Sequence, residues 1–175
     1  ISLIGHAARI CAELNCLDRA IISTDDNKMR NEGIKFGLES PFLRPKTLAT
    51  DKASALDVLI HATTESEKFY KETYDIIILL EPSSPFREAN HIIKTITKLI
   101  NGNYDSVLTV SETDSKGHPL KQLIFNNDKV TFYKNKAKNI ITRQELSKTY
   151  HRNGVAYAMT RQCLIRQKSI IGKNA

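Results

Sequence analysis

Apolar side chains at Ile4, Ala7, Ala8, Cys11 and Leu14 recur at the i, i+3, i+4, i+7 spacing of a helix that buries one face, which predicts an amphipathic helix over residues 2 to 14. Arg19-Ala-Ile-Ile-Ser23 then reads as a short buried strand. Asp25 and Asp26 stand where that strand hands over to a helix reaching about Phe36, and carboxylates there satisfy free N–H groups and the helix dipole. Gly37 is a stop signal. A helix from about Ala53 to Lys71 precedes Asp75-Ile-Ile-Ile-Leu-Leu80, whose lack of polar alternation suits a parallel strand covered on both faces. Beyond Pro85, the spacing of Ile92, Ile93, Ile96, Leu99 and Ile100 marks another amphipathic helix ended by Asn101-Gly102, and Ser106-Val-Leu-Thr-Val110 is the next strand. Strand and helix alternate, so the expected fold class is α/β, a doubly wound, mostly parallel sheet. Binding groups are then expected outside the carboxyl ends of the strands, at Thr24 to Asp26, Glu81 to Ser84 and Ser111 to Asp114.

From Gly117 the pattern changes. Lys121-Gln-Leu-Ile-Phe125 and Lys129-Val-Thr-Phe-Tyr133, joined by Asn126-Asn-Asp128, read as a hairpin, because Asn and Asp tolerate the positive φ of tight turns. No internal repeat, low-complexity stretch or linker divides the chain. Its 175 residues, 41% hydrophobic and 26% charged, fit a single domain with room for a core.

Charge alters the picture. The net charge is +7, yet residues 116 to 175 hold 13 Lys or Arg against two acids, Asp128 and Glu145, while residues 1 to 115 are net acidic. A concentrated basic region suits an anionic partner. The basic residues are scattered through strand-like sequence without a recognition helix, zinc finger or ribonucleoprotein-type motif, so nucleic acid is not the expected partner. Substrates with phosphates and a carboxylate use the same field, and a solvated face is the plain alternative. Three cysteines, Cys11, Cys16 and Cys163, lack metal-ligand spacing and fit small core side chains in a reducing cytoplasm. No apolar run approaches the roughly 20 residues that span a bilayer. There is no Gly-x-Ser-x-Gly elbow and no histidine pair at metal spacing, which argues against hydrolysis.

Three ordered stretches carry a more specific signal: Pro41-Phe-Leu-Arg-Pro-Lys-Thr-Leu-Ala-Thr-Asp-Lys-Ala-Ser54, Leu79-Leu-Glu-Pro-Ser-Ser-Pro-Phe-Arg87 and Arg143-Gln-Glu-Leu-Ser-Lys-Thr-Tyr-His-Arg-Asn-Gly-Val-Ala-Tyr157. Together they resemble the acylneuraminate cytidylyltransferases, the CMP-sialic acid synthetases and their relatives acting on legionaminic or pseudaminic acid. The resemblance runs from Ile1 to about Gly172. It implies a Rossmann-like nucleotidyltransferase that makes a CMP-activated nine-carbon ulosonic acid from CTP, with Mg²⁺ or Mn²⁺, for surface polysaccharide biosynthesis. It further implies a homodimer whose dimerisation insertion lies at 117–150. The family's first strand, its phosphate loop and its Asp-x-Asp metal motif are not among these residues, so the resemblance places the catalytic and metal groups outside them.

The resemblance assigns Arg44 and Ser54 to the nucleotide. Arg44 precedes Pro45, which biases it toward an extended conformation, and its guanidinium can form several directed hydrogen bonds; Ser54 stands equally well as a helix cap. The sugar is assigned Glu81, Ser83, Ser84, Lys121, Arg143, Asn153 and Tyr157. Glu81 departs from the family's usual Gln, exchanging a group that donates and accepts for one that only accepts. That exchange bears on which sugar acid is taken, or on a cation. Arg87 reads as a helix-start charge, and Gly154 allows close backbone approach. Two alternatives stay open: a cytidylyltransferase for another sugar acid of the 3-deoxy-manno-octulosonate kind, though 81–85 does not spell that family's Gln-Gly-Asp-Glu-Pro, and a noncatalytic nucleotide-sugar binding protein.

Overall fold

Side chains placed just ahead of each apolar stripe set the helix starts. In this computed structural model, which describes residues 1–134, 144 and 146–175, α1 (Leu3–Ala12) follows Ser2, whose hydroxyl accepts the Gly5 N–H at 3.0 Å. The same hydroxyl donates to Glu32 at 2.7 Å, tying α1 to α2 (Asn27–Lys35). Asp26 caps α2 by accepting from the Lys28 and Met29 N–H groups at 2.7 and 2.9 Å. Gly37 closes the segment at φ 91°, a left-handed conformation that glycine adopts freely. Ser54 caps α3 (Ala55–Tyr70), and α4 (Ala89–Asn101) follows Glu88, whose N–H donates to His91.

The strands are β1 (Ile76–Leu79), β2 (Ser106–Glu112), β3 (Leu123–Asn126), β4 (Lys129–Phe132) and β5 (Tyr150–Thr160). Two units are present, the first of Ile1–Thr109 with Gly154–Ala175, the second of Val110–Asn153. In the first unit the sheet order is β1-β5-β2. β5 pairs with β1 antiparallel, from Ile76 opposite Thr160 to Leu79 opposite Tyr157. Against β2 its bonds also run in opposing directions, Thr160 to Asp105 and Ala156 to Thr109. β1 and β2 therefore point the same way, as expected, but a strand from far downstream separates them, so the pairings in this sheet are antiparallel where the sequence predicts a mostly parallel sheet. The stretch 19–23 contributes a parallel bridge, Ile21 to Glu39, where a strand is expected.

Coverage on both faces explains the unbroken apolar run of β1. Ile77 and Leu79 pack with Leu59, Tyr157, Met159, Cys163 and Leu164. Ile78 and Leu80 pack on the opposite face with Leu14, Ile92 and Ala156. A π-helical turn, Gln162–Arg166, follows β5, and Arg161 just before it makes a two-pronged ion pair with Glu67 of α3 at 2.7 and 3.0 Å.

The second unit contains the hairpin. β3 and β4 pair from Leu123 opposite Phe132 to Asn126 opposite Lys129. Asn127 and Asp128 both take positive φ, 47° and 63°, as a two-residue turn of the twist-matched type requires. Both strands are exposed along their whole length, Phe125 at 79%.

The hydrogen bond from Arg161 holds the Glu67 carboxyl below the usual glutamate range. A lowered native pKa gives stability that is complete above the unfolded value and disappears as pH falls through the native one. Glu67→Gln should therefore cost about 1 kcal/mol near pH 7, discounted for the partly exposed guanidinium, and progressively less as pH falls below the usual glutamate range, read as the gap between urea-unfolding midpoints.

Candidate functional site

At the carboxyl end of β1 the chain turns through Glu81-Pro82-Ser83-Ser84-Pro85, and this loop is fastened to β5. The Glu81 N–H donates to the Gly154 carbonyl at 3.3 Å, and the Ser84 N–H donates to the Glu81 carbonyl at 3.1 Å, closing a turn. Arg87, 4% exposed, lies beneath. Its Nε donates to the Val155 carbonyl at 3.0 Å, and its Nη2 donates to the carbonyls of Gly154, at 3.1 Å, and Glu81. Burial lowers the Arg87 pKa, and the nearby Cys11 and Glu81 oppose that shift. Arg87 is thus a clamp between two chain segments, where its position before α4 had suggested a helix-start charge.

Gly154 shows what the clamp holds. Its φ is 71°, and a Cβ at this position would lie 2.5 Å from a Glu81 carboxylate oxygen and 2.9 Å from the Ser84 hydroxyl. Glu81 and Ser84 thus converge on bare backbone, and only glycine leaves the room. Ser83 belongs to the same loop. Tyr157, opposite Leu79, is 4% exposed and packs within the core with Leu59 and Met159.

Arg44 braces the chain. Its N–H donates to the Thr24 carbonyl at 2.9 Å, and its guanidinium donates to the carbonyls of Ser23 at 2.5 Å and Leu48 at 3.5 Å, the last at the limit of a hydrogen bond. Its Nε and the Ser23 hydroxyl are buried with no hydrogen-bond partner among the described residues. Arg44 borders a cavity of about 1310 Å³ that runs between the 20–25 segment and β1 and reaches Leu80 and Pro82. Ser54 is occupied as a cap, accepting the Asp57 N–H at 3.0 Å and donating to its carboxylate at 2.7 Å.

In the second unit, Lys121 ends a 3₁₀ turn, Pro119–Lys121, behind the buried His118. The Leu120 N–H donates to His118 Nδ1 at 3.1 Å, which leaves the proton on Nε2, facing the Ser147 carbonyl at 3.1 Å. Asn153 donates to the Ser111 hydroxyl at 3.1 Å. Arg143 lies outside the described residues. Glu81, Ser84 and Gly154 are the candidate residues brought within contact of one another in the first unit. Arg87 was the residue that sequence reasoning missed. Its one signal is a cation directly after a proline-rich loop.

No family model matches the chain. Over 155 residues it is 33% identical to post-translational flagellin modification protein B of Campylobacter coli and 30% identical to CMP-N,N'-diacetyllegionaminic acid synthase of Campylobacter jejuni, each match covering 88% of this chain and 64% of the relative. It is also 26% identical to the N-acylneuraminate cytidylyltransferase of Escherichia coli O18:K1:H7, over 98% of this chain and 39% of that protein. The chain is thus similar in sequence to proteins named as a CMP-N,N'-diacetyllegionaminic acid synthase and an N-acylneuraminate cytidylyltransferase. It spans less than two thirds of the length of these relatives. The structure of CMP:2-keto-3-deoxy-manno-octonic acid synthetase complexed with CTP matches with a TM-score of 0.65 at 14% identity, over 94% of this chain and 66% of that one, a likeness of fold.

Gly154→Ala combines a left-handed backbone penalty of about 1–2 kcal/mol with displacement of Glu81 and Ser84. At Gly37 the space is open, so Gly37→Ala carries the backbone penalty alone. Urea unfolding of the two variants should show the larger loss at Gly154.

Proposed function

We propose that the protein transfers CMP from CTP to a nine-carbon ulosonic acid of the sialic type, the sugar's anomeric hydroxyl attacking the α-phosphorus as the bond to pyrophosphate breaks. The observation that carries this reading is the convergence of Glu81 and Ser84 over Gly154 at the carboxyl end of β1, in a chain homologous to enzymes named for that chemistry. Open α/β sheets bind ligands at such strand ends.

In this reading Arg44 and Ser54 serve the nucleotide. Glu81 accepts hydroxyl or amide protons of the sugar acid, with Ser83, Ser84, Lys121, Arg143, Asn153 and Tyr157 in support, and its carboxylate selects among legionaminic, pseudaminic and neuraminic acids. Mg²⁺ or Mn²⁺, when bound, neutralises phosphate charge. Among the described residues no three His, Cys, Asp or Glu side chains come together as a metal site, so those residues do not fit that role and no step is assigned through a cation. The likeness to the 3-deoxy-manno-octonic acid enzyme rests on fold at 14% identity, and a different loop follows β1 here. Among the described residues no helix is long and apolar enough to cross a membrane; a cytoplasmic location accords with a CTP-using enzyme.

Two measurements test this. Calorimetry should show CTP bound in preference to ATP, with Arg44→Ala weakening CTP by about 1.5–3 kcal/mol, and pyrophosphate should be released only with a sugar acid present; equal affinity for the two nucleotides rejects the reading. The exposed apolar hairpin, with Phe125, Phe132 and Tyr133, is proposed as a two-fold dimer interface together with Ile140, which lies outside the described residues. Light scattering should give a dimer for the wild type and a monomer for Phe125→Glu.

A further inference from the structure

A buried guanidinium that touches no substrate can still decide where substrate groups stand. Arg87 bonds the carbonyls of Glu81, Gly154 and Val155, points 67 and 68 residues apart in the chain being drawn onto one side chain. The two groups that converge on Gly154, the Glu81 carboxylate and the Ser84 hydroxyl, sit on the loop that this fork fastens. That loop has few donors of its own, because Pro82 and Pro85 lack N–H groups. The Glu81 N–H adds one backbone bond of its own from this loop to β5, 3.3 Å to the Gly154 carbonyl.

We infer that Arg87 is a positioning residue for the sugar acid: its guanidinium sets the distance between the Glu81–Ser84 loop and Gly154, and so fixes the carboxylate and hydroxyl that the substrate meets. The inference rests on the cytidylyltransferase reading for its substrate and on the hydrogen bonds alone for the clamp. Lysine keeps the charge but carries all its donors on one nitrogen, so it does not reproduce a planar fork in which Nε and Nη2 serve separate carbonyls.

The test compares the intact wild type with Arg87→Lys, and with Arg87→Gln should the lysine variant not fold. Hydrogen exchange at the Glu81 and Ser84 amides should quicken about 10-fold or more, while Leu99 of α4 and Met159 of β5, both buried, hold their rates. The KM for the sugar acid should rise about 10-fold while that for CTP stays within about two-fold. If Arg87 acts through Glu81, the effect on the sugar should shrink in a Glu81→Ala background. Unchanged exchange at 81 and 84, exchange rising equally at Leu99 and Met159, a CTP KM that moves with the sugar KM, or full additivity with Glu81→Ala would each overturn the inference. A wild type that transfers no CMP would instead overturn the proposed function, and the exchange comparison would then decide the clamp by itself.

Discussion

The first unit turns on the guanidinium of Arg87. Where β1 ends at Leu79 and the chain turns away, β5 continues, and Arg87 reaches across to the carbonyls of Gly154 and Val155. Buried carbonyls must find donors, and a loop holding two prolines supplies few. One arginine closes the deficit with a planar set of donors. The solution has a cost, since a cation is desolvated against neutral acceptors and its Nη1 is left without a partner among the described residues. Removing such a group is worse than keeping it, because three carbonyls would each lose a charged donor together.

From that clamp the rest of the arrangement follows by alternation. β5 presents Tyr157 and Met159 to one core and Ala156 to the other, so its register against β1 fixes both helical layers. The Thr109 hydroxyl reinforces that register from β2, bonding both the N–H and the carbonyl of Ala156 at 3.0 and 3.2 Å. β1 is nonetheless only half-buried along its length, because it is an edge strand of this sheet and borders the large cavity. A strand apolar on both faces is placed where one of its edges remains open.

Local signals were legible and long-range ones were not. The caps at Asp26 and Ser54, the stop at Gly37 and the hairpin turn at Asn127 and Asp128 act within a few residues of the atoms they satisfy, so the letters carried them. The insertion of β5 between β1 and β2 depends on pairing across some 80 residues, and alternation of strand and helix is silent about it. The stretch 19–23 has a strand's composition yet forms a single bridge, since pairing needs a partner as well as propensity. At the site, the prolines and serines of 81–85 marked the loop, and Gly154 was readable as a place of close approach. Arg87 was not readable, because what it bonds is backbone, which leaves no pattern in the sequence. Ser54 and Tyr157 show the converse difficulty: a cap and a core aromatic have the same letters as a ligand-binding serine and tyrosine.

Charge supplies the last connection between clamp and substrate choice. An anionic sugar acid would be repelled by a carboxylate standing alone at the strand end. Glu81 does not stand alone, because the buried Arg87 is close enough for the Glu81 charge to favour the protonated guanidinium. That attraction works against the burial of the guanidinium, and Gln at 81 would remove it. The exchange of Gln for Glu therefore changes two things, removing an amide donor and adding a carboxylate near a buried cation. A substrate suited to this loop should gain less from its own carboxylate and more from donors, hydroxyl or N-acyl, that a carboxylate can accept. Under the proposed function, selectivity at this position would belong to Glu81 together with the buried Arg87 that holds its loop.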